Sequence, residues 1–97
     1  MFLIILKYSY GIDLVNKFVE QHRIFLDKYY SLHKFICSGA QVPRTGGIIL
    51  CNAVHIEEVK EIISEDPFYR NKAVEYEIIE FNPSKYAVEF EKCITLS

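Results

Sequence analysis

Apolar positions along this chain follow two periods in turn. Phe2, Ile4, Leu6 and Tyr8 alternate with Leu3 and Ile5, so residues 2 to about 9 predict a strand apolar on both faces. Gly11 interrupts the run, and Asp13 is the expected N-cap of a helix over about 14 to 31. Leu14, Val15, Phe18, Val19, Phe25, Leu26 and Tyr29 form its stripe. Residues 35 to 41 predict a second strand, followed by a turn through Pro43-Arg44-Thr45-Gly46-Gly47. A third strand, again apolar on both faces, is expected over 48 to 53. Ile56, Val59, Ile62 and Ile63 restore helical spacing over 56 to 65. Pro67 is the expected stop, since the residue before a proline is pushed out of the α region. Residues 73 to 81 predict a fourth strand, which Pro83 ends. The tail from 84 to 97 fits either period. Tyr86, Val88 and Phe90 alternate like a strand, whereas Tyr86, Phe90 and Cys93/Ile94 fit a helix.

The order β-α-β-β-α-β predicts a ferredoxin-like α+β domain, with two helices on one face of a four-stranded antiparallel sheet. The opposite face is then bare although strands one and three are apolar there. A second copy of the same sheet is the simplest cover, which predicts a two-fold homodimer.

Two polar residues break these registers. His22 falls between Phe18/Val19 and Phe25/Leu26 in the first stripe, and Asp66 takes the next inward position after Ile62 and Ile63. Burying an imidazole and a carboxylate is costly unless they are paired or hydrogen-bonded. The two helices share a sheet face, so the residues are placed to meet. The imidazole suits proton transfer near neutral pH, and a carboxylate beside it would fix its tautomer. Each residue has a plainer reading: His22 as a satisfied core histidine, Asp66 as a cap or turn residue before Pro67. Both remain open at the level of sequence.

Composition narrows the setting. Ninety-seven residues make one domain, and 51% hydrophobic with 14% aromatic content is rich for that length. The excess fits an oligomer interface. A net charge of −2 gives no reason to expect nucleic acid. The opening apolar run reaches only to Lys7, too short for a signal-peptide core or a membrane span. Cys37, Cys51 and Cys93 form no CxxC and leave an odd count, which favours reduced thiols and a cytoplasmic location. His22, His33 and His55 lack metal-ligand spacing, and neither common phosphate-binding glycine loop is present. No metal or cofactor is expected. Arg44, with Gly46 and Gly47 as a source of free turn amides, is a candidate anion holder. Ser38, before Gly39, is a candidate pocket residue without an adjacent base, so a nucleophilic role is not expected. Tyr69 and Arg70 read as surface residues.

Taken together, His22-Arg23-x-Phe25-Leu26, Ser38-Gly39, Pro43-Arg44-x-Gly46-Gly47, Asp66-Pro67-Phe68 and Tyr76-x-Ile78-x-Glu80-Phe81-x-Pro83 resemble the YCII-related (YciI-like) family. The likeness covers residues 1 to 86, with 87 to 97 as a C-terminal extension of the same domain. It implies the dimeric α+β barrel architecture and matches His22 and Asp66 to the family's proposed His–Asp pair. The family is similar to muconolactone isomerases and includes a dehalogenase of chlorinated muconolactones. Two departures stand out: Ala40 replaces the proline usual after Ser-Gly, and Leu32-His33-Lys34 lacks the glycine common before the second strand.

Two functions follow as expectations. The first is a lyase or isomerase acting on a small acidic or lactone-like substrate, with His22 moving a proton and Asp66 orienting it. Arg44, Ser38, Gly46 and Gly47 would then bind substrate. The second is a non-catalytic dimeric module that holds a small acidic ligand in the same pocket.

Overall fold

The computed structural model describes residues 1–94. Its strands are β1 (Phe2–Lys7), β2 (Phe35–Ala40), β3 (Gly46–Cys51) and β4 (Glu75–Glu80). Its α-helices are α1 (Ile12–Ser31), α2 (Ile56–Ser64) and the short α3 (Pro67–Arg70). The strands form one sheet in the order β2-β3-β1-β4, with antiparallel pairing at each step. This is the ferredoxin-like α+β fold that the element order predicts.

Strand periodicity sorts the side chains between the two faces. Phe2, Ile4 and Leu6 of β1, with Ile49 and Cys51 of β3, are buried beneath the helices. Val15, Phe25 and Tyr29 of α1 and Val59, Ile62 and Ile63 of α2 close over them. On the outer face Leu3 pairs with Leu50 and Ile79, and Ile5 with Ile48. There Ile48 is 38% and Ile79 42% exposed, so an apolar sheet face lies uncovered on the single chain.

Several boundaries differ from expectation for local reasons. Helix α1 begins two residues before the expected start, with Gly11 at the cap position (φ 95°) and no side-chain cap. Asp13 is therefore not the N-cap but an acidic residue in the first turn, where it still favours the positive end of the helix dipole. Gly46 and Gly47 are not turn residues. They open β3 and pair with Lys7 and Leu6 of β1. A Cβ on Gly46 would sit 2.3 Å from the Leu6 carbonyl oxygen, so only glycine lets the two backbones approach this closely. Pro67 does not end the second helix; it starts α3 at the first helical position, where its missing N–H costs nothing.

The glycine expected before β2 is replaced by a residue in the glycine conformation. His33 has φ 59°, its N–H donates to the Tyr30 carbonyl, and the Lys34 N–H donates to that of Tyr29. These two bonds make a Schellman end to α1. Lys72 (φ 53°) closes α3 in the same way, with Ala73 N–H on the Phe68 carbonyl and its own N–H on that of Tyr69. In the tail, Val88–Cys93 forms a 3-10 helix, which sides with the helical reading against the strand. Residues 95–97 of the expected extension lie outside the described residues.

Candidate functional site

Asp66 lies where α2 gives way to α3, and its conformation is dictated locally. As N-cap of α3 it accepts the Phe68 N–H on Oδ1 at 3.0 Å. That bond turns its carboxylate inward toward α1 and β4, leaving the residue 1% exposed. The cap reading and the site reading are thus both met by one side chain.

His22 reaches Asp66 across the helix layer, with Nδ1 2.8 Å from Oδ1. An ionised carboxylate only accepts, so Nδ1 carries a proton, and in the neutral ring the lone pair is on Nε2. Phe68 stacks on the imidazole at 4.0 Å between ring centroids and 13° between planes. Phe25 lies at 5.9 Å on a tilted axis. The His22 side chain is 13% exposed, enough to present one ring edge while the other is sealed.

A third group completes the carboxylate's shell. The Tyr76 hydroxyl, projecting inward from β4, donates to Asp66 Oδ2. Burial first, then the Asp66 charge and the hydrogen bond itself, pushes the phenol well above the ordinary tyrosine range. Tyr76 therefore keeps its proton, and stays a donor, through the ordinary tyrosine range. Its role was not apparent from sequence, although the alternation Val74, Tyr76, Ile78 does put a polar tip on an apolar face.

His22 lines a cavity of about 630 Å³ between α1 and one end of the sheet. Leu6, Val19, Leu26, Ile49 and Phe68 supply apolar wall, and Tyr8, Asn16, Glu20, Arg23, Ser38 and Arg44 supply polar groups. Of the residues expected at the site, His22, Ser38, Arg44 and Gly47 line this space. Asp66 stands behind His22, out of the cavity. Gly46 does not line it. The expectation of a free glycine turn is corrected: both glycines belong to β3, where Gly47 lies between Leu6 and Ala40 and Gly46, opposite Lys7, accepts the Gln41 N–H on its carbonyl. Arg44 remains as an exposed cation at the rim. Ser38 Oγ lies 2.6 Å from the Tyr30 hydroxyl, which holds it in place. Ala40, in the position of the usual proline, pairs with Gly47 and borders the same space. Tyr8, Arg23 and Phe68 were missed as lining residues because their approach depends on how the elements pack.

Among the described residues, no group of three or more His, Cys, Asp or Glu side chains is placed to hold a metal ion. No helix among them is long and apolar enough to cross a membrane.

Comparison with known proteins agrees with this geometry at the level of fold. The chain is similar to the 5-chloro-2-hydroxyhydroquinone dehydrochlorinase of Burkholderia phenoliruptrix AC1100, a structure solved with 2,5-dihydroxybenzoquinone. The TM-score is 0.70 at 15% identity, over 84% of this chain and 94% of that one. No curated protein sequence matches the chain. Residues 1–82 match the YCII-related domain, so the chain belongs to the YCII-related family.

Proposed function

We propose that the protein is a small-molecule enzyme of lyase or isomerase type, acting on a small acidic or lactone-like substrate. The observation that carries the reading is a cavity-lining imidazole whose Nδ1 is tied to a buried carboxylate. Nε2 is thereby left as a base of defined tautomer. In this mechanism Nε2 takes a proton from a carbon or oxygen next to a carbonyl. Asp66 orients the ring and stabilises the imidazolium that forms. Return of the proton at another position completes an isomerisation, and loss of a leaving group completes an elimination. Arg44 holds a substrate carboxylate or the oxygen that gains charge, and the Ser38 hydroxyl supplies a second polar contact. Removal of the elements of HCl by a dehydrochlorinase, the activity of the structurally similar protein, is one chemistry that such a base serves.

The test is turnover of small lactones, carboxylates and halogenated hydroxyquinones by wild type, His22→Ala and Asp66→Ala. Loss of a positioned acid–base group typically costs about 10² to 10⁴-fold, so kcat/KM falls by that order in His22→Ala. Turnover that survives both substitutions overturns the mechanism. A compound that raises thermal stability and is recovered unchanged, with none turned over, points instead to a binding module.

We further propose that a second copy covers the outer sheet face formed by Leu3, Ile5, Ile48, Leu50 and Ile79. A patch of this kind on a soluble chain marks an interface. Light scattering is expected to report a dimer at micromolar concentration, and a stable monomer there contradicts it. The free thiols Cys37, Cys51 and Cys93 fit a reducing, cytoplasmic setting.

A further inference from the structure

We propose that Tyr76 is a positioning residue for the His22–Asp66 pair: its hydroxyl turns the Asp66 carboxylate so that Oδ1 is kept for His22, and holds the shared proton on the imidazole side. The inference rests on the reading of His22 as the proton-moving group. Its geometry stands independently of any substrate.

Asp66 has two oxygens and, among the described residues, three hydrogen-bond donors. The Phe68 N–H and His22 Nδ1 both address Oδ1, and Tyr76 alone addresses Oδ2. The division has two consequences. Bonds to both oxygens fix the plane of the carboxylate, which a single-oxygen anchor leaves free to swing about its last torsion. A phenol donating to Oδ2 also draws off part of the negative charge, so the carboxylate competes less strongly for the proton on Nδ1. The pair then behaves as imidazole oriented by carboxylate, rather than as two groups sharing one proton.

The surroundings leave this task to Tyr76. Tyr8 of β1, Glu20 and Arg23 of α1 and Arg44 line the cavity on the His22 side. Behind Tyr76, a second cleft carries Tyr10, Tyr69, Arg70 and Lys72. None of these groups hydrogen-bonds to the Asp66 carboxylate. Tyr69 only packs on the Tyr76 ring, at 6.2 Å between centroids. Among the described residues, no other side chain donates to Asp66 Oδ2 in place of the Tyr76 hydroxyl.

The experiment follows ionisation of the His22 ring by nuclear magnetic resonance in three proteins: wild type, Tyr76→Phe, and protein with 3,5-difluorotyrosine at position 76. The fluorinated ring keeps the tyrosine shape and is a stronger donor. With Tyr76→Phe the His22–Asp66 pair is expected to release its proton about one pH unit higher, because the carboxylate regains its full charge. With difluorotyrosine the release moves to lower pH. His33 and His55, both exposed and away from the pair, serve as internal controls and stay put. A Tyr76 that merely fills space would change thermal stability without moving His22. The proposal is overturned if His22 titrates alike in all three proteins. If Tyr76→Phe does not fold, the fluorinated protein decides alone. The measurement uses resting protein, so a failed substrate screen leaves it untouched, and an unmoved His22 leaves the catalytic reading standing.

Discussion

Phe68 meets His22 face to face, and its backbone N–H donates to the same Asp66 oxygen that binds the imidazole. One residue thus fixes the plane of the imidazole and the position of the carboxylate beside it. Phe68→Ala removes the stacked ring from a site only 2% exposed. Buried Phe-to-Ala changes cost about 3–5 kcal/mol, so denaturant melts are expected to show a loss of that order. The smaller Phe68→Leu should recover most of the stability yet lower turnover, since it keeps the amide donor without the flat surface.

Asp66→Asn separates the cap from the charge. The amide oxygen still accepts the Phe68 N–H, so the N-cap is kept, and asparagine is a good cap residue. The same oxygen keeps the His22 Nδ1–H, so ring nitrogen chemical shifts are expected to report an unchanged tautomer, whereas the group facing Tyr76 is now a donor and the charge beside the imidazole is gone. Turnover should fall further than the melting temperature suggests.

The two glycines nearest the β2–β3 connection make a paired test. Gly46→Ala drives a Cβ against the Leu6 backbone oxygen and the Gln41 side chain, at 2.3 and 2.5 Å. The backbone neighbour cannot move without parting β3 from β1, so overpacking of roughly 1–3 kcal/mol is expected by chemical denaturation. Gly39→Ala meets nothing within 4 Å. It should fold as wild type and change only the affinity of what enters the adjoining cavity.

Helix ends offer a gain instead. His33 and Lys72 adopt the left-handed backbone at the ends of α1 and α3. Glycine takes that conformation without a Cβ clash but loses more freedom on folding. Relief of strain wins at a Schellman position, so His33→Gly and Lys72→Gly should each add about 0.5–1 kcal/mol in thermal melts. Neither change touches the site.

Stability should fall at both pH extremes. Lys28 first, then Tyr29, hydrogen-bonds Glu65 and holds its carboxyl below the usual range. A folded value below the unfolded one stabilises above about pH 4.3, and that contribution is lost as pH falls through the lowered value. Glu65→Gln should flatten the acid slope measured by circular dichroism. At the other end, burial above all raises Tyr76 and Tyr29, and it pushes the Cys51 thiol up to about 11. Folded values above unfolded ones stabilise fully below the unfolded values, about 8.5 for the thiol and 10 for the phenols. The thiol contribution is lost as pH rises from there through 11, and the phenol contributions at higher pH. Tyr76→Phe should remove part of that alkaline decline.

Much of the fold was legible in the chain because strand and helix periods are local. Alternation in β1 and β3 and the stripe of α1 each place a side chain inward or outward without reference to partners. Antiparallel order then put His22 and Asp66 on one layer, so their meeting was foreseeable from two polar residues in apolar registers. Boundaries were less legible. Gly46 and Gly47 look like turn residues in isolation, and only the closeness of β1 turns them into strand. Pro67 reads as the stop of one helix, and only the structure shows it starting the next.

The sequence by itself determined which residues face the core and which two among them are out of place there. Tertiary structure alone decided that Tyr76, ten residues beyond Asp66 and on an edge strand, holds the second carboxylate oxygen. It also decided that Phe68 stacks on His22, and that Arg44, Ser38 and Gly47, but not Gly46, border the cavity. Periodicity assigns a face to a residue, but distances between faces come from how strands and helices pack. Contacts such as these depend on ångström separations between distant parts of the chain, which no local pattern encodes.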